Sequence, residues 1–111
     1  MNTARALELE SARRPKPDGK QNPAALAGWY LERERGNRAI SLAEAAKGAN
    51  ISISDLIALE HGKLTRLSAD KVPGMVASYG RFLGFEAEPL VAHYQTLLEQ
   101  IPRVVPLPVE P

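Results

Sequence analysis

The chain has 111 residues and a formal charge of +1, and 44% of its residues are hydrophobic while only 5% are aromatic. It has no cysteine, which excludes a disulfide framework, a thiolate nucleophile and a cysteine-based metal site. No stretch approaches the roughly 20 apolar residues of a membrane-spanning helix, so we expect one small soluble domain in the cytoplasm.

Residues 1–22 are predicted to be a flexible, basic tail and linker, because their helical pattern is weak and prolines and a glycine interrupt it. Five of the 14 basic and three of the 13 acidic residues lie here, which leaves a net charge of −1 on the rest of the chain. A domain that depends on phosphate contacts usually has a clear basic surplus. If the domain binds DNA, the candidates for phosphate or minor-groove contact are Arg13, Arg14, Lys16 and Lys20.

The domain is predicted to begin with a helix whose N-cap is Asn22 and whose first residue is Pro23. Leu26 with Tyr30, and Ala27 with Leu31, are apolar pairs four residues apart that are expected to face the rest of the domain, and the helix should end near residue 37. Trp29 lies beside this pair and is expected to be a partly buried packing residue rather than an exposed binding anchor.

The central stretch of the chain predicts a helix-turn-helix, because two capping signals lie about one short helix apart. Ser41 with Glu44 forms a capping box, so a second helix should start directly after Ser41. Ser52 with Asp55 repeats this signal more weakly and predicts a third helix directly after Ser52.

Between these two helices, Gly48 and Asn50 are expected to take left-handed conformations that end one helix and redirect the chain. The apolar spacing places side chains of modest size inside the angle between the helices. These side chains belong to Leu42, Ala45, Ala46, Ile51, Leu56 and Leu59. Two further helices are predicted downstream of them.

Asp70 is the expected N-cap of the fourth helix, with Pro73 in its first turn and Gly84 at its end. The fifth helix is expected to start at Pro89 and to stop before Pro102, since proline cannot continue a helix.

The predicted fold is therefore all-α, a five-helix domain of the helix-turn-helix type. It spans residues 23–101, with the flexible tail 1–22 before it and a Pro-rich flexible tail, 102–111, after it. His61 and His93 lie on different predicted helices and outside any metal-ligand spacing. We expect no enzyme activity, no metal site and no cofactor.

Several short motifs of this domain resemble the Cro/C1 type of helix-turn-helix, which has the lambda-repressor-like fold. They are Ala27–Leu31, Ile40–Leu42, Ala45–Ala46, Ile51–Ser52, Leu56, Leu59–Glu60 and Gly62. The downstream sequence VASYGRFLGF, from Val76 to Phe85, with a further helix after it, more narrowly resembles the cytoplasmic domain of the RodZ family of bacterial cell-shape proteins. The similarity covers about residues 24–100.

This resemblance implies a domain that uses a DNA-reader fold to bind protein, chiefly the actin-like filament protein MreB, with a membrane span after the domain. No span follows Pro111, so we expect either a longer parent protein or a partial relative. The family places its contact with the filament near the start of the fourth helix. Here Lys71 and Met75 stand where aromatic residues are expected, and Pro73 stands near an expected arginine.

The outward face of the third helix separates a DNA reader from a protein binder, because a DNA-reading helix presents long hydrogen-bond donors to base edges. The aligned positions are Ile53, Ser54 and Ile57, none of which can make a bidentate base contact. We predict that the two isoleucines form an exposed apolar ridge that docks a cytoplasmic protein partner, together with Lys71 and Met75. The alternative is that one isoleucine packs inside the domain.

Two other functions stay open from the sequence. A DNA-binding regulator would use the basic tail on phosphates or in a minor groove. A small antagonist would sequester a regulator through the same apolar face.

Overall fold

The computed structural model describes residues 14–101, and this part of the chain folds into five α-helices joined by short turns. The helices are α1 (Pro23–Asn37), α2 (Leu42–Ala49), α3 (Ile53–Glu60), α4 (Val72–Leu83) and α5 (Ala87–Gln100). One turn of 3-10 helix, Leu64–Arg66, lies between α3 and α4, and the described residues contain no strand. The all-α, five-helix prediction is confirmed. Residues 1–13 of the predicted tail 1–22 and the whole predicted tail 102–111 lie outside the described residues.

The helix-turn-helix of α2 and α3 starts where the capping signals predict. The Ser41 hydroxyl accepts a hydrogen bond from the Glu44 backbone N–H (3.1 Å), and the Glu44 carboxylate accepts one from the Ser41 N–H (3.0 Å). The Ser52 hydroxyl accepts the Asp55 N–H (3.1 Å). These caps satisfy backbone donors that a helix leaves unpaired in its first turn.

The turn between α2 and α3 agrees with the prediction at one of its two positions. Asn50 is left-handed, with a φ of 60°, and the Ile51 N–H donates to the Ala46 carbonyl (2.9 Å), as in a Schellman motif. The prediction for Gly48 is wrong, because Gly48 lies inside α2 and has no positive φ. Its missing side chain serves packing instead, since a Cβ there would collide with the Phe82 ring.

The start of α4 differs from the prediction. Its N-cap is Lys71 rather than Asp70, and no side chain caps it. The Ser68 carbonyl instead accepts the N–H groups of Lys71 (2.9 Å) and Val72 (3.2 Å) in a tight turn. Val72 is fully buried, so its place in the core decides where the helix begins.

The junction of α4 and α5 is partly as predicted. Gly84 ends α4 in a left-handed conformation, with a φ of 92°. Helix α5 begins at Ala87, two residues before the predicted start at Pro89. Proline is tolerated at this third helical position, because the N–H that it lacks would have no intrahelical partner.

The core lies where the five helices converge. Helix α4 packs along α5, α2 packs on α3 and α4, and α1 packs against α3. The predicted core residues of the helix-turn-helix are buried, except that Leu42 is partly buried and packs on the core. The largest fully buried side chains are Tyr79, Tyr94, Leu31, Leu56, Leu59, Leu83, Glu60, Val72 and Val76.

The buried face of α1 agrees with the prediction at Leu31, which is in the core, and differs from it at Tyr30. Tyr30 is 47% exposed, whereas Glu32 and Arg35 are buried. Two inward positions carry charged residues, so the buried face includes Leu31 but is rotated away from Tyr30. Trp29 is buried, as predicted, and its indole N–H donates to the Arg14 carbonyl (2.8 Å).

The segment 14–22 lies against α1, although the sequence predicts a flexible linker there. The Asp18 carbonyl accepts the Asn22 N–H (2.8 Å), which forms a turn directly before the helix. The Lys16 ammonium lies 5.4 Å from the centre of the Tyr30 ring, within the range of a cation–π contact.

Replacing Ser41 by alanine is expected to lower the free energy of unfolding by about 1 kcal/mol, because it removes the hydroxyl side of the capping box. Urea denaturation followed by circular dichroism measures the change. Ser54→Ala is the matched control, since Ser54 is exposed in the first turn of α3 and caps no helix. Equal stability of the two variants would contradict the role of the cap.

Candidate functional site

Helix α3 turns one side into the core and the other to solvent. Leu56, Leu59 and Glu60 are buried, whereas Ile53 is 47% and Ile57 is 39% exposed. The two isoleucines are one helical turn apart, so they form a single ridge on the outer side of the helix. Neither isoleucine is therefore buried inside the domain.

An open concavity of about 430 Å³ adjoins this ridge. Its lining comes from α3 and from the segment that follows α3, and we name this surface the α3 face. The lining residues are Ile53, Ser54, Asp55, Ile57, Ala58, Lys63 and Arg66. The α3 face thus combines apolar side chains with two cations and one carboxylate.

The turn after α3 brings the two cations to this face. Gly62 has a φ of 73°, and the Lys63 N–H donates to the Ala58 carbonyl (2.8 Å), so α3 ends in a Schellman motif. The chain then enters the 3-10 turn that carries Arg66. The sequence analysis singled out neither Lys63 nor Arg66. The available signal was Gly62, which folds the next residue back toward the helix.

The other two predicted partner-binding residues lie apart from this concavity. Lys71 is exposed at the N-cap of α4, and Met75 is partly buried and packs on the core. Neither residue lines the α3 face. The structure therefore brings Ile53, Ser54 and Ile57 together and leaves the other two at the start of α4.

The basic residues considered for DNA contact have different environments. Arg13 lies outside the described residues. Arg14 forms an ion pair with Glu32 and also donates to a backbone carbonyl at the end of α3 (3.2 Å). The Arg14 guanidinium is thus engaged within the domain, whereas Lys16 and Lys20 are exposed and the Lys16 ammonium lies beside the Tyr30 ring.

A buried ion pair holds the C-terminal end of α3 against α1. The Glu60 carboxylate is 1% exposed and accepts two hydrogen bonds from Arg35, Nε to Oε2 (2.8 Å) and Nη2 to Oε1 (3.1 Å). The Tyr79 hydroxyl donates to the same carboxylate. Arg35 Nη1 also donates to the Ile40 carbonyl (2.9 Å). Helices α1, α3 and α4 therefore meet at one carboxylate.

The electrostatics of this cluster favour its paired form. Burial by itself would lower the pKa of Arg35, but the hydrogen bond and the charge of Glu60 outweigh burial, so this pKa is raised. Burial, followed by the charge of Glu60, raises the pKa of Tyr79 well above its ordinary value, so the hydroxyl keeps its proton and remains a donor. The cluster therefore links α3 to α1 and α4 in its charged, hydrogen-bonded form.

Residues 14–101 provide neither a metal centre nor a membrane span. Nowhere in this range do three His, Asp or Glu side chains come together in a way that could hold a metal ion. None of its helices combines the length and the apolar character that crossing a bilayer requires.

The capped helices α2 and α3, the tight turn between them and the packing of α1 and α4 around them define a helix-turn-helix domain. Residues 30–90 match the family model of a helix-turn-helix domain, which is more than half of the chain. The chain therefore belongs to this helix-turn-helix domain family, as the sequence predicts. No curated protein and no solved structure matches the chain.

Proposed function

We propose that this helix-turn-helix domain is a non-enzymatic interaction domain that docks a cytoplasmic protein partner through the α3 face. The observation that carries the proposal is the joint exposure of Ile53 (47%) and Ile57 (39%) on the side that a DNA reader would place in the major groove. Apolar side chains grouped on one exposed face are typical of protein contact sites. The resemblance to RodZ makes an actin-like filament protein of the MreB type the first partner to test. In that complex, Lys71 and Met75 would make a second contact.

The α3 face is poorly suited to reading DNA bases. Ile53, Ser54 and Ile57 offer no bidentate donor pair, and each bidentate contact supplies roughly 1 to 3 kcal/mol of discrimination between bases. Asp55 lies on the same face, where its carboxylate would be repelled by phosphates. Base recognition through α3 is therefore disfavoured.

A DNA-binding regulator is the second candidate, and it is favoured by the position of Lys63 and Arg66 on the α3 face. Two exposed cations beside α3 could contact phosphates. Titration of a labelled random duplex at low and at moderate salt tests this function, because phosphate-driven binding weakens steeply as salt rises. Micromolar, salt-sensitive binding would support the regulator, and no binding at low salt would count against it.

The double substitution Ile53→Ser with Ile57→Ser is expected to weaken partner binding by about 30- to 150-fold. Each side chain is about half exposed in the free domain. Covering the exposed half of one isoleucine with a partner contributes roughly 1 to 1.5 kcal/mol, or 2 to 3 kcal/mol for the pair. Cosedimentation with polymerised MreB-type protein measures the affinity. Circular dichroism checks that the variant keeps its helices.

The matched control is Tyr30→Ser with Phe85→Ser, which removes two side chains of similar exposure, 47% and 38%, that do not line the α3 face. The control should bind as the wild type does. Equal affinity of the isoleucine variant and the wild type would overturn the proposed docking face. Failure of the wild type to bind the filament would exclude that partner.

A further inference from the structure

We infer that the partner segment that docks on the α3 face is an acidic amphipathic helix, an inference that rests on the docking role proposed above. Lys63 and Arg66 line the face, are exposed and belong to none of the ion pairs formed within residues 14–101. Their charges are therefore free to pair with carboxylates of a partner. A surface that joins such cations to apolar side chains is complementary to a segment with apolar and acidic residues.

The spacing of the apolar side chains favours a helical partner. Ile53 and Ile57 are four residues apart, so their Cβ atoms repeat along α3 at about 5 to 6 Å. A partner helix with apolar residues at i and i+4 presents the same repeat to a hydrophobic groove. An extended peptide usually binds by adding a strand to a sheet edge, and residues 14–101 contain no strand.

The charge of the face changes sign along α3, which also favours one orientation of the partner. Asp55 lies in the first turn, where the positive end of the helix dipole stabilises its carboxylate. Lys63 and Arg66 follow the other end of α3. An acidic side chain of the partner would be repelled near Asp55 and attracted near the two cations. We therefore expect the acidic end of the partner helix to lie beside the C-terminal end of α3.

Selection from a displayed library tests this inference. The library contains helix-favouring peptides of about 16 residues, with one face varied among leucine, alanine, glutamine, glutamate and lysine. The full chain is the target, and the Ile53→Ser, Ile57→Ser variant serves for counter-selection. We expect enriched peptides to carry leucine at i and i+4 and a net negative charge. In fluorescence anisotropy they should bind the wild type about tenfold or more tightly than the variant.

A charge-reversed variant tests the two cations directly. Lys63→Glu with Arg66→Glu should weaken the acidic peptides about tenfold or more, and should favour versions of the same peptides in which lysine replaces glutamate. The matched control is Lys20→Glu with Arg81→Glu, which makes the same change in net charge at two exposed residues outside the α3 face. The control should keep the wild-type preference.

The outcomes separate this inference from the docking proposal. Enriched peptides that need the isoleucines but are neutral or basic would overturn the acidic helix and leave the docking face in place. If the acidic peptides bind the charge-reversed variant with the same affinity as the wild type, the role of the two cations is overturned. Absence of any isoleucine-dependent peptide would overturn the docking face itself, and the acidic helix with it.

Discussion

Replacing Glu60 by alanine is expected to lower the free energy of unfolding by about 3 to 5 kcal/mol. The substitution leaves the Arg35 guanidinium buried without the carboxylate that accepts two of its N–H groups. It also removes the acceptor of the Tyr79 hydroxyl. Since small domains have a total stability of about 5 to 15 kcal/mol, this single change removes a large part of the total.

Urea denaturation followed by the fluorescence of the buried Trp29 indole measures this loss. Glu99→Ala, at an exposed glutamate of α5, is the matched control and should change stability by less than about 0.5 kcal/mol. Tyr79→Phe removes one donor only and should cost about 1 kcal/mol. A loss for Glu60→Ala that is no larger than the loss for Tyr79→Phe would contradict the importance of the buried ion pair.

A double substitution separates the stability of the buried pair from its effect on α3. Arg35→Met with Glu60→Leu leaves no unpaired buried charge, so this variant should be more stable than Glu60→Ala. If the hydrogen-bonded pair also orients α3, the double variant should fold yet dock a partner more weakly than the wild type. If the double variant has the same stability and the same affinity for the partner as the wild type, the pair does not contribute to the orientation of the α3 face.

Replacing Gly28 by alanine is expected to destabilise the domain by about 3 kcal/mol or more, although alanine favours a helix over glycine by about 1 kcal/mol. A Cβ at this position would overlap the carbonyl oxygens of Leu59 and Glu60 and would lie 2.6 Å from the Glu60 carbonyl carbon. These are backbone atoms, so no change of rotamer can relieve the collision. Helices α1 and α3 would have to move apart, and the Arg35–Glu60 pair would be strained.

Gly74 provides the matched control for this substitution. It lies in the first turn of α4, and a Cβ there would have no atom within 4 Å. Gly74→Ala should therefore stabilise the domain by up to about 1 kcal/mol, because alanine reduces the freedom of the unfolded chain. Thermal and urea denaturation compare the two variants. The same small gain at both glycines would show that α1 and α3 are not in backbone contact.

The predictions that the structure confirms rest on interactions between residues close in the chain. The caps of α2 and α3 join residues three apart, and such pairs are visible in a sequence. The period of α3 also favours exposure of Ile53 and Ile57, because it puts Leu56 and Leu59 on the opposite, buried side.

Two features of the candidate site differ from the prediction. One depends on the direction of a turn, and the other depends on packing between residues that are distant in the chain. Lys63 and Arg66 reach the α3 face because Gly62 takes a positive φ and reverses the chain. Lys71 and Met75 do not line that face, since α4 begins where Val72 enters the core.

The helix-turn-helix and the number of helices follow from the sequence, because caps and helical periodicity act over three to seven residues. The sequence left open whether both isoleucines of α3 are exposed. The inward position of the two charged residues of α1 follows from tertiary contacts. Glu32 and Arg35 lie inward there because Arg14 and Glu60 supply opposite charges from 18 and 25 residues away. A hydrophobic pattern cannot show this, since a charged residue is normally exposed and becomes buried only when folding delivers its partner.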